Sequence, residues 1–349
     1  MSSRTPFSLG YRMPAEWAPH EATWLTWPKN GITWPGKMLA EVESIYLAMM
    51  TALLDREKVH LLVPDARAVE KVLGLLPQAR TSNLLFHRVN AVDTWIRDYG
   101  PIFVKAGTKK AFTKWTFNAW GGKYADLARD NGVVDKLEWL GKFRRFDGRI
   151  VLEGGSIDMD GEGTCLTTEQ CLLNKNRNPR LSRKDLEKYL HDFLGARKVL
   201  WLKEGIEGDD TDGHVDDITR FCGPATVLTA VEPDRADANH AYLDENLRIL
   251  KASRDARGRR LKVVELPMPG RVGPARKDTP RHKRLPASYA NFYIGNGVVL
   301  LPVYSHANDR KAERVVRKAF PGRKVVPIEC SALVYGLGSI HCVTQQEPR

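Results

Sequence analysis

The sequence predicts an α/β fold built as a single domain. Helical and strand patterns alternate along the whole chain, the pattern of α/β proteins. No composition shift or low-complexity linker divides the 349 residues into halves. Hydrophobic residues make up 42% and charged residues 28%, the balance of a globular chain with enough length to bury a sizeable core.

The elements follow in order. Residues 38–54 place Met38, Val42, Ile45, Met49 and Leu53 on one helical stripe. His60 to Pro64 predicts a strand, Arg67 to Leu76 a short helix, and Leu84 to Val89 and Ala111 to Phe117 two more strands. Tyr124 to Leu140 has helical spacing, and Ile150 to Leu152 is a strand running into Gly154-Gly155. Ser182, with Asp185 three residues on, predicts the capped start of a helix through Leu194. Val199 to Leu202 returns as a strand, Ala241 to Leu250 as a helix and Lys262 to Leu266 as a strand. Tyr289 to Val303 holds two strand patterns around Gly295-Asn296-Gly297, a hairpin signal. Periodicity alone would arrange these elements as a doubly wound sheet.

Several classes are excluded early. No run of about 18 apolar residues occurs, so no ordinary membrane-spanning helix is expected. The first residues, MSSRTPFSLGYRMPAEW, lack the apolar stretch of a secretory signal. The five cysteines (165, 171, 222, 330 and 342) contain no CxxC pair, which argues against a zinc ribbon and a disulfide framework and for a reducing cytoplasm. The net charge of +12 is concentrated: residues 251–284 carry twelve Lys or Arg and three acids, a net of +9, leaving +3 for the rest. No aromatic residue interleaves those charges, so a stacking platform for nucleic acid is missing. The 251–286 stretch is expected to be a basic surface insertion, and nucleic acid is not expected as a partner.

The chemistry-bearing residues are carboxylates in unusual company. Asp98 follows Trp95 and precedes Gly100-Pro101, and Glu153 ends an apolar strand ahead of two glycines. Glu207 to Asp217 packs six acids around His214. Taken alone, such a run is as readily a solvated loop. Its spacing does not fit the calcium-loop pattern, and no HExxH is present, so no metal is expected. Cys342 follows the glycine-rich turn Gly336-Leu337-Gly338. A lone cysteine is usually a small buried hydrophobe, but a cysteine with a distant His and carboxylates is what a thiolate nucleophile needs. Carboxylates raise a thiol's pKa, which is unfavourable for attack on a neutral substrate. They make sense for a cation. A guanidinium pairs bidentately with carboxylates, its charge favours the thiolate, and a ring such as Trp95 can cover its face. The residues therefore point to attack on a guanidine carbon.

Six ordered motifs resemble the agmatine deiminases, grouped with the bacterial peptidylarginine deiminases in the guanidine-modifying superfamily. They are MPAEWAPHEATWLTWP (13–28), WIRDYGPIFV (95–104), FNAWGGKY (117–124), EGGSIDMDGEGTCLTTEQCLLNKNRNP (153–179), GDDTDGHVDD (208–217) and GSIHCVTQQ (338–346). The resemblance implies a five-bladed α/β propeller of the pentein type, with ββαβ blades around a central active site. Asp98, Glu153, Asp216, Asn291 and Cys342 are separated by 55, 63, 75 and 51 residues, roughly one contributor per blade. It also implies hydrolytic deimination of agmatine to N-carbamoylputrescine and ammonia in polyamine (putrescine) biosynthesis, with no cofactor. The alternative is a deiminase of free or peptidyl arginine.

By the same resemblance, Cys342 is the nucleophile, His214 the acid and base oriented by Glu153, and Asp98 and Asp216 the grips on the guanidinium. Trp95, Asn291 and Asp210 are the expected substrate contacts, with Asp210 or Glu207 facing the far ammonium of agmatine. His341 is read as structural, because neighbours on an extended chain point to opposite sides. A homo-oligomer, in the simplest case a dimer, is the expected assembly.

Overall fold

Five small sheets surround a common centre. The computed structural model describes residues 4–273 and 284–349. The second blade is built from Ile102–Ala106, Lys109–Thr116 and Arg144–Val151, and the third from Asp158–Met159, Thr164–Thr168 and Lys198–Leu202. The fourth uses Thr219–Gly223, Thr226–Val231 and Lys262–Pro267, and the fifth Tyr293–Gly295, Val298–Val303 and Lys324–Glu329. In each, the first two strands pair antiparallel and the second and third pair parallel. A parallel pair needs a crossover. Helices Arg183–Leu194, Asn239–Ala252 and Asp309–Ala319 supply it in blades three to five. This is the ββαβ unit.

The first blade closes the ring. Its strands His20–Thr26, Lys58–Val63 and Leu84–Arg88 are parallel, with helix Met38–Leu54 joining the first two. The missing antiparallel member is the last strand of the chain, Thr344–Pro348. Trp24 Nε1 donates to Glu347 Oε2 across that seam at 3.1 Å. The doubly wound sheet is therefore the wrong arrangement of the right elements, because each parallel pair stays within its own blade.

Most elements form where the sequence places them. Helix Met38–Leu54 buries Val42, Ile45, Tyr46, Met49, Met50, Leu53 and Leu54, the predicted stripe widened by its i+4 neighbours. Ser182 and Asp185 form a reciprocal capping box. The 124–140 region differs: it is a series of 3₁₀ turns rather than an α-helix. Asn131 spends its carbonyl on the N–H of Phe117, and Asp130 accepts the N–H groups of Val92 and Asp93 at 2.6 and 2.9 Å. Such side chains draw the segment onto neighbouring loops at the expense of an i→i−4 ladder. Within the basic stretch, Lys262–Pro267 is a strand of the fourth blade and residues 251–252 end its helix. Those parts belong to the blade rather than to an insertion. Residues 274–283 of that stretch lie outside the described residues.

The first blade also holds two histidines, His60 buried and His87 half-buried, that play no part in the central site. His60 Nδ1 lies 2.7 Å from His87 Nε2. His60 stacks on Trp24 with centroids 4.3 Å apart. Burial, helped by the His87 charge, lowers His60 to about 3, and burial lowers His87 to about 4. Both lie below the unfolded value of about 6.5. As pH falls, the unfolded chain takes up these protons first. The stability is present above that value and is lost as pH falls towards the folded pKa. Between pH 7 and 5 the loss for His60 is about 2 kcal/mol. Urea titrations at the two pH values should show it, and His60→Gln should flatten the pH dependence by that amount. An unchanged slope in the variant would remove the explanation.

Candidate active site

Every motif residue sits where one blade hands over to the next. Asp98 lies in the short helix Ile96–Tyr99, just ahead of the second blade. Glu153 precedes the third blade, His214 to Asp217 the fourth, Asn291 the fifth, and Cys342 the closing strand of the first. The entry strands of a propeller run nearest its axis, so these connectors converge. The near-regular spacing in sequence is the blade repeat.

The convergence is tight enough to require glycine. A Cβ on Gly155 would lie 2.6 Å from His214 Nδ1, 2.9 Å from Asp98 Oδ1 and 3.1 Å from Asp216 Oδ2. Instead, the Gly155 N–H donates to Asp98 Oδ1 at 3.0 Å. A Cβ on Gly338 would lie 2.5 Å from the Trp95 ring and 3.1 Å from the Cys342 Cβ. Hence Gly338 lets the ring and the turn that bears Cys342 pack together.

Around the sulfur, Asn291 Nδ2 lies 3.2 Å and Asp216 Oδ2 3.8 Å from Cys342 Sγ. The other oxygen of Asp98 accepts from Trp120 Nε1 at 2.9 Å. Trp120 reaches it from a left-handed backbone, φ 53° and ψ 50°, a strained conformation for a bulky residue of the kind that clusters at functional sites. Its ring meets Trp95 edge-on, with centroids 6.4 Å apart. His214 is fully buried, 3.9 Å from Asp98 Oδ1. Glu153 accepts from Arg177 Nε at 2.7 Å, and one of its oxygens lies within 4.8 Å of a His214 nitrogen and of Cys171 Sγ. Both ring nitrogens of His214, Glu153 Oε2 and Asp216 Oδ1 are buried without a hydrogen-bond partner among the described residues. Orphaned polar atoms cost free energy unless something else satisfies them. Four in one chamber mark it as built for a polar ligand.

A cavity of about 750 Å³ opens above this chamber. Trp95, Asp98, Trp120, Gly338 and Cys342 line it, as do Tyr124 and Asp210. The Tyr124 hydroxyl donates to Asp210, and Lys123 Nζ lies 3.6 Å from the same carboxylate.

The electrostatics belong to a cation site. Burial, with repulsion from the Asp216 and Asp98 carboxylates, pushes the Cys342 thiol well above the ordinary range. Burial also pushes Asp98 up, to about 6, although His214 pulls the other way. Burial works against a proton on His214, but the Asp98 carboxylate and the Cys171 sulfur outweigh it and hold its pKa well up. Burial would raise Asp216 too, yet the His341 ring wins and keeps it low.

Asp98, Glu153, His214, Asp216, Asn291 and Cys342 thus meet in one chamber. Trp95 and Asp210 line the cavity, and Glu207 does not. His341 is where the sequence reading was incomplete. It does not line the cavity, but Nδ1 lies 2.6 Å from Asp216 Oδ2 and Nε2 2.8 Å from Glu16 Oε2. Residues 340–343 form a turn rather than extended chain, so strand alternation does not apply. Glu16 is held in turn by Arg220 at 2.9 Å. Trp120 and Asp217 also escaped notice as site residues, although both stand inside motifs quoted above. Glu16 lies in the first motif, but nothing local ties it to residue 341.

The Porphyromonas-type peptidyl-arginine deiminase family model matches residues 12–348. The chain belongs to this family. Agmatine deiminase of Stutzerimonas stutzeri is 38% identical over 366 aligned positions, covering 99% of this chain and 97% of that protein. The solved structure of the agmatine deiminase of Enterococcus faecalis superposes with a TM-score of 0.92 at 34% identity, covering 100% and 99% of the two chains. DDAH of Pseudomonas aeruginosa, at TM-score 0.51 and 13% identity over 94% and 99% of the chains, shares the fold alone. Among the described residues, no helix is long and apolar enough to cross a membrane.

Proposed function

We propose that this family member hydrolyses the guanidine group of agmatine, giving N-carbamoylputrescine and ammonia through a covalent intermediate on Cys342. The observation that carries the reading is a buried thiol flanked by Asp98 and Asp216, with His214 beside them. Membership in a family whose relatives are named agmatine deiminases supports the substrate, and the place of the reaction is polyamine synthesis.

The chemistry runs on this chain's own groups. Asp98 and Asp216 pair with the guanidinium nitrogens, and its charge offsets their repulsion of the thiolate. His214, its pKa held well up, is the protonated acid, and the thiol proton leaves to solvent as the guanidinium binds. Sγ then bonds the guanidine carbon, giving a neutral tetrahedral adduct. Protonated His214 donates to an NH₂ group, the C–N bond breaks and ammonia leaves. An S-alkylthiouronium cation remains. His214 takes a proton from water, whose oxygen bonds the same carbon. The C–S bond then breaks, thiolate returns, the adduct's O–H proton passes to water, and the neutral carbamoyl product departs while His214 keeps its proton for the next cycle. Glu153, anchored by Arg177, orients His214. Trp95 covers the guanidinium face. Asp210, on the cavity wall, accepts the far ammonium.

A second reading, arginine as substrate, draws on Lys29, Arg129 and Lys136, which line the same cavity and could meet an α-carboxylate. A cavity of this size fits a small molecule in either case. All five cysteines are free thiols, in keeping with a reducing cytoplasm, and a homodimer is the assembly we expect. Purified protein should release ammonia from agmatine, with product mass rising by the difference between O and NH. It should release little from arginine or a blocked arginine peptide. The reverse preference would keep the chemistry and move the substrate. No ammonia from any of them, with Cys342 reduced, would sink the reading.

A further inference from the structure

Asn291 was expected to touch substrate, but its amide is already committed. Its Oδ1 accepts the backbone N–H of His341 at 2.9 Å and that of Cys342 at 3.4 Å. Two backbone donors on one side fix the oxygen there, so the amide nitrogen faces the other way. That nitrogen has two hydrogens and two partners: Asp217 Oδ1 at 2.9 Å and Cys342 Sγ at 3.2 Å. Asn291 is fully buried, and Asp217 is 3% exposed.

We propose that Asn291 donates a hydrogen bond to the nucleophilic sulfur and that Asp217 is the positioning residue that holds the amide in that direction. The substrate's charge explains the choice of group. An attacking thiolate needs a donor, and a lysine or arginine there would serve. But a fixed cation at the sulfur would repel the guanidinium that Asp98 and Asp216 gather. A neutral amide supplies the hydrogen bond without the charge. It acts twice, when the thiolate forms for attack and when it leaves the second tetrahedral adduct. Asp217 can take this role because burial, and then Asp216 beside it, push its pKa well up. Held as the neutral acid, it accepts the amide N–H through its carbonyl oxygen and adds no third negative charge next to the sulfur.

The kinetic half of the test rests on the deiminase reading, and the other half does not. Alkylation of Cys342 by neutral chloroacetamide, followed by the mass of the full chain across pH, reads the thiol directly. Asn291→Ala should slow alkylation about tenfold at fixed pH and move its pH profile to higher pH. Asp217→Ala, which leaves the amide but frees its direction, should move the profile the same way by less. On agmatine, Asn291→Ala should lower kcat about tenfold or more while KM changes little. An unchanged alkylation profile in both variants overturns the proposal, whatever the turnover. So does a rise in KM at constant kcat, which would make Asn291 a substrate contact. A shifted profile in a chain inactive on agmatine supports the proposal and counts only against the substrate. If Asn291→Ala does not fold, the Asp217→Ala profile decides alone.

Discussion

Cys342→Ser is expected to abolish turnover, by roughly 10⁴-fold or more, with the unfolding midpoint unchanged. The two side chains are close in size, and an oxygen at this position keeps its neighbours: Asn291 Nδ2 still donates to it and Asp216 still accepts from it. Chemistry is what is lost. A hydroxyl ionises several units above a thiol, and the carboxylates that already raise the thiol would raise it further. A bound guanidinium cannot close that gap. No other cysteine can substitute. Burial pushes Cys165 and Cys330 well up and Cys222 to about 12, and none of them lines the cavity. Cys171 lies behind His214, away from the cavity. The check is kcat on agmatine together with the intact mass during turnover, where the wild-type chain should carry an adduct and the variant none. Retention of most of the activity would end the covalent scheme.

How much of this was legible in the sequence depends on whether the signal was local. Helix Met38–Leu54 and the capped helix Arg183–Leu194 follow from side-chain period and a cap, both written in consecutive residues. The arrangement of blades does not. A parallel pair joined by a helix reads the same in a propeller and in a doubly wound sheet, and only the antiparallel first strand of each unit tells them apart. In the third blade that strand is two residues long, Asp158–Met159, too short to announce itself. The 124–140 region went astray because its apolar spacing is helical while Asp130 and Asn131 bond to other loops, a tertiary fact. The site shows the same division. Cys342, His214, Asp98, Asp216 and Glu153 stand in motifs dense with chemistry. The bridge from Asp216 through His341 to Glu16 joins residues 125 and 325 positions apart in sequence. No pattern in one sequence links them.

The carboxylates that serve a cation should hinder everything else, and that opposition gives the second large effect. Chloroacetamide and chloroacetamidine share a leaving group and a shape, but the second carries an amidinium like the substrate's. Towards the neutral reagent Cys342 should be sluggish at pH 7, with a rate that climbs through pH 9 without levelling, because burial, Asp216 and Asp98 hold the thiol above its usual range. The cationic reagent should pair with Asp98 and Asp216, lower the thiol's pKa on binding and react roughly 10²-fold faster or more. The two rates must then move in opposite directions when a carboxylate is neutralised. Asp98→Asn and Asp216→Asn each remove a negative charge near the sulfur. The neutral reagent should speed up, since less charge opposes the thiolate, and the cationic one should slow down, since its partner is gone. A variant that was merely misfolded would slow both, and one that merely opened the site would speed both. Only a thiol poised for a cation gives the crossing. Asp217→Asn should do neither, because a group already held neutral has no charge to lose. If it behaved like Asp216→Asn, Asp217 would be the ionised member of the pair, and the direction assigned to the Asn291 amide would have to rest on a charged partner instead.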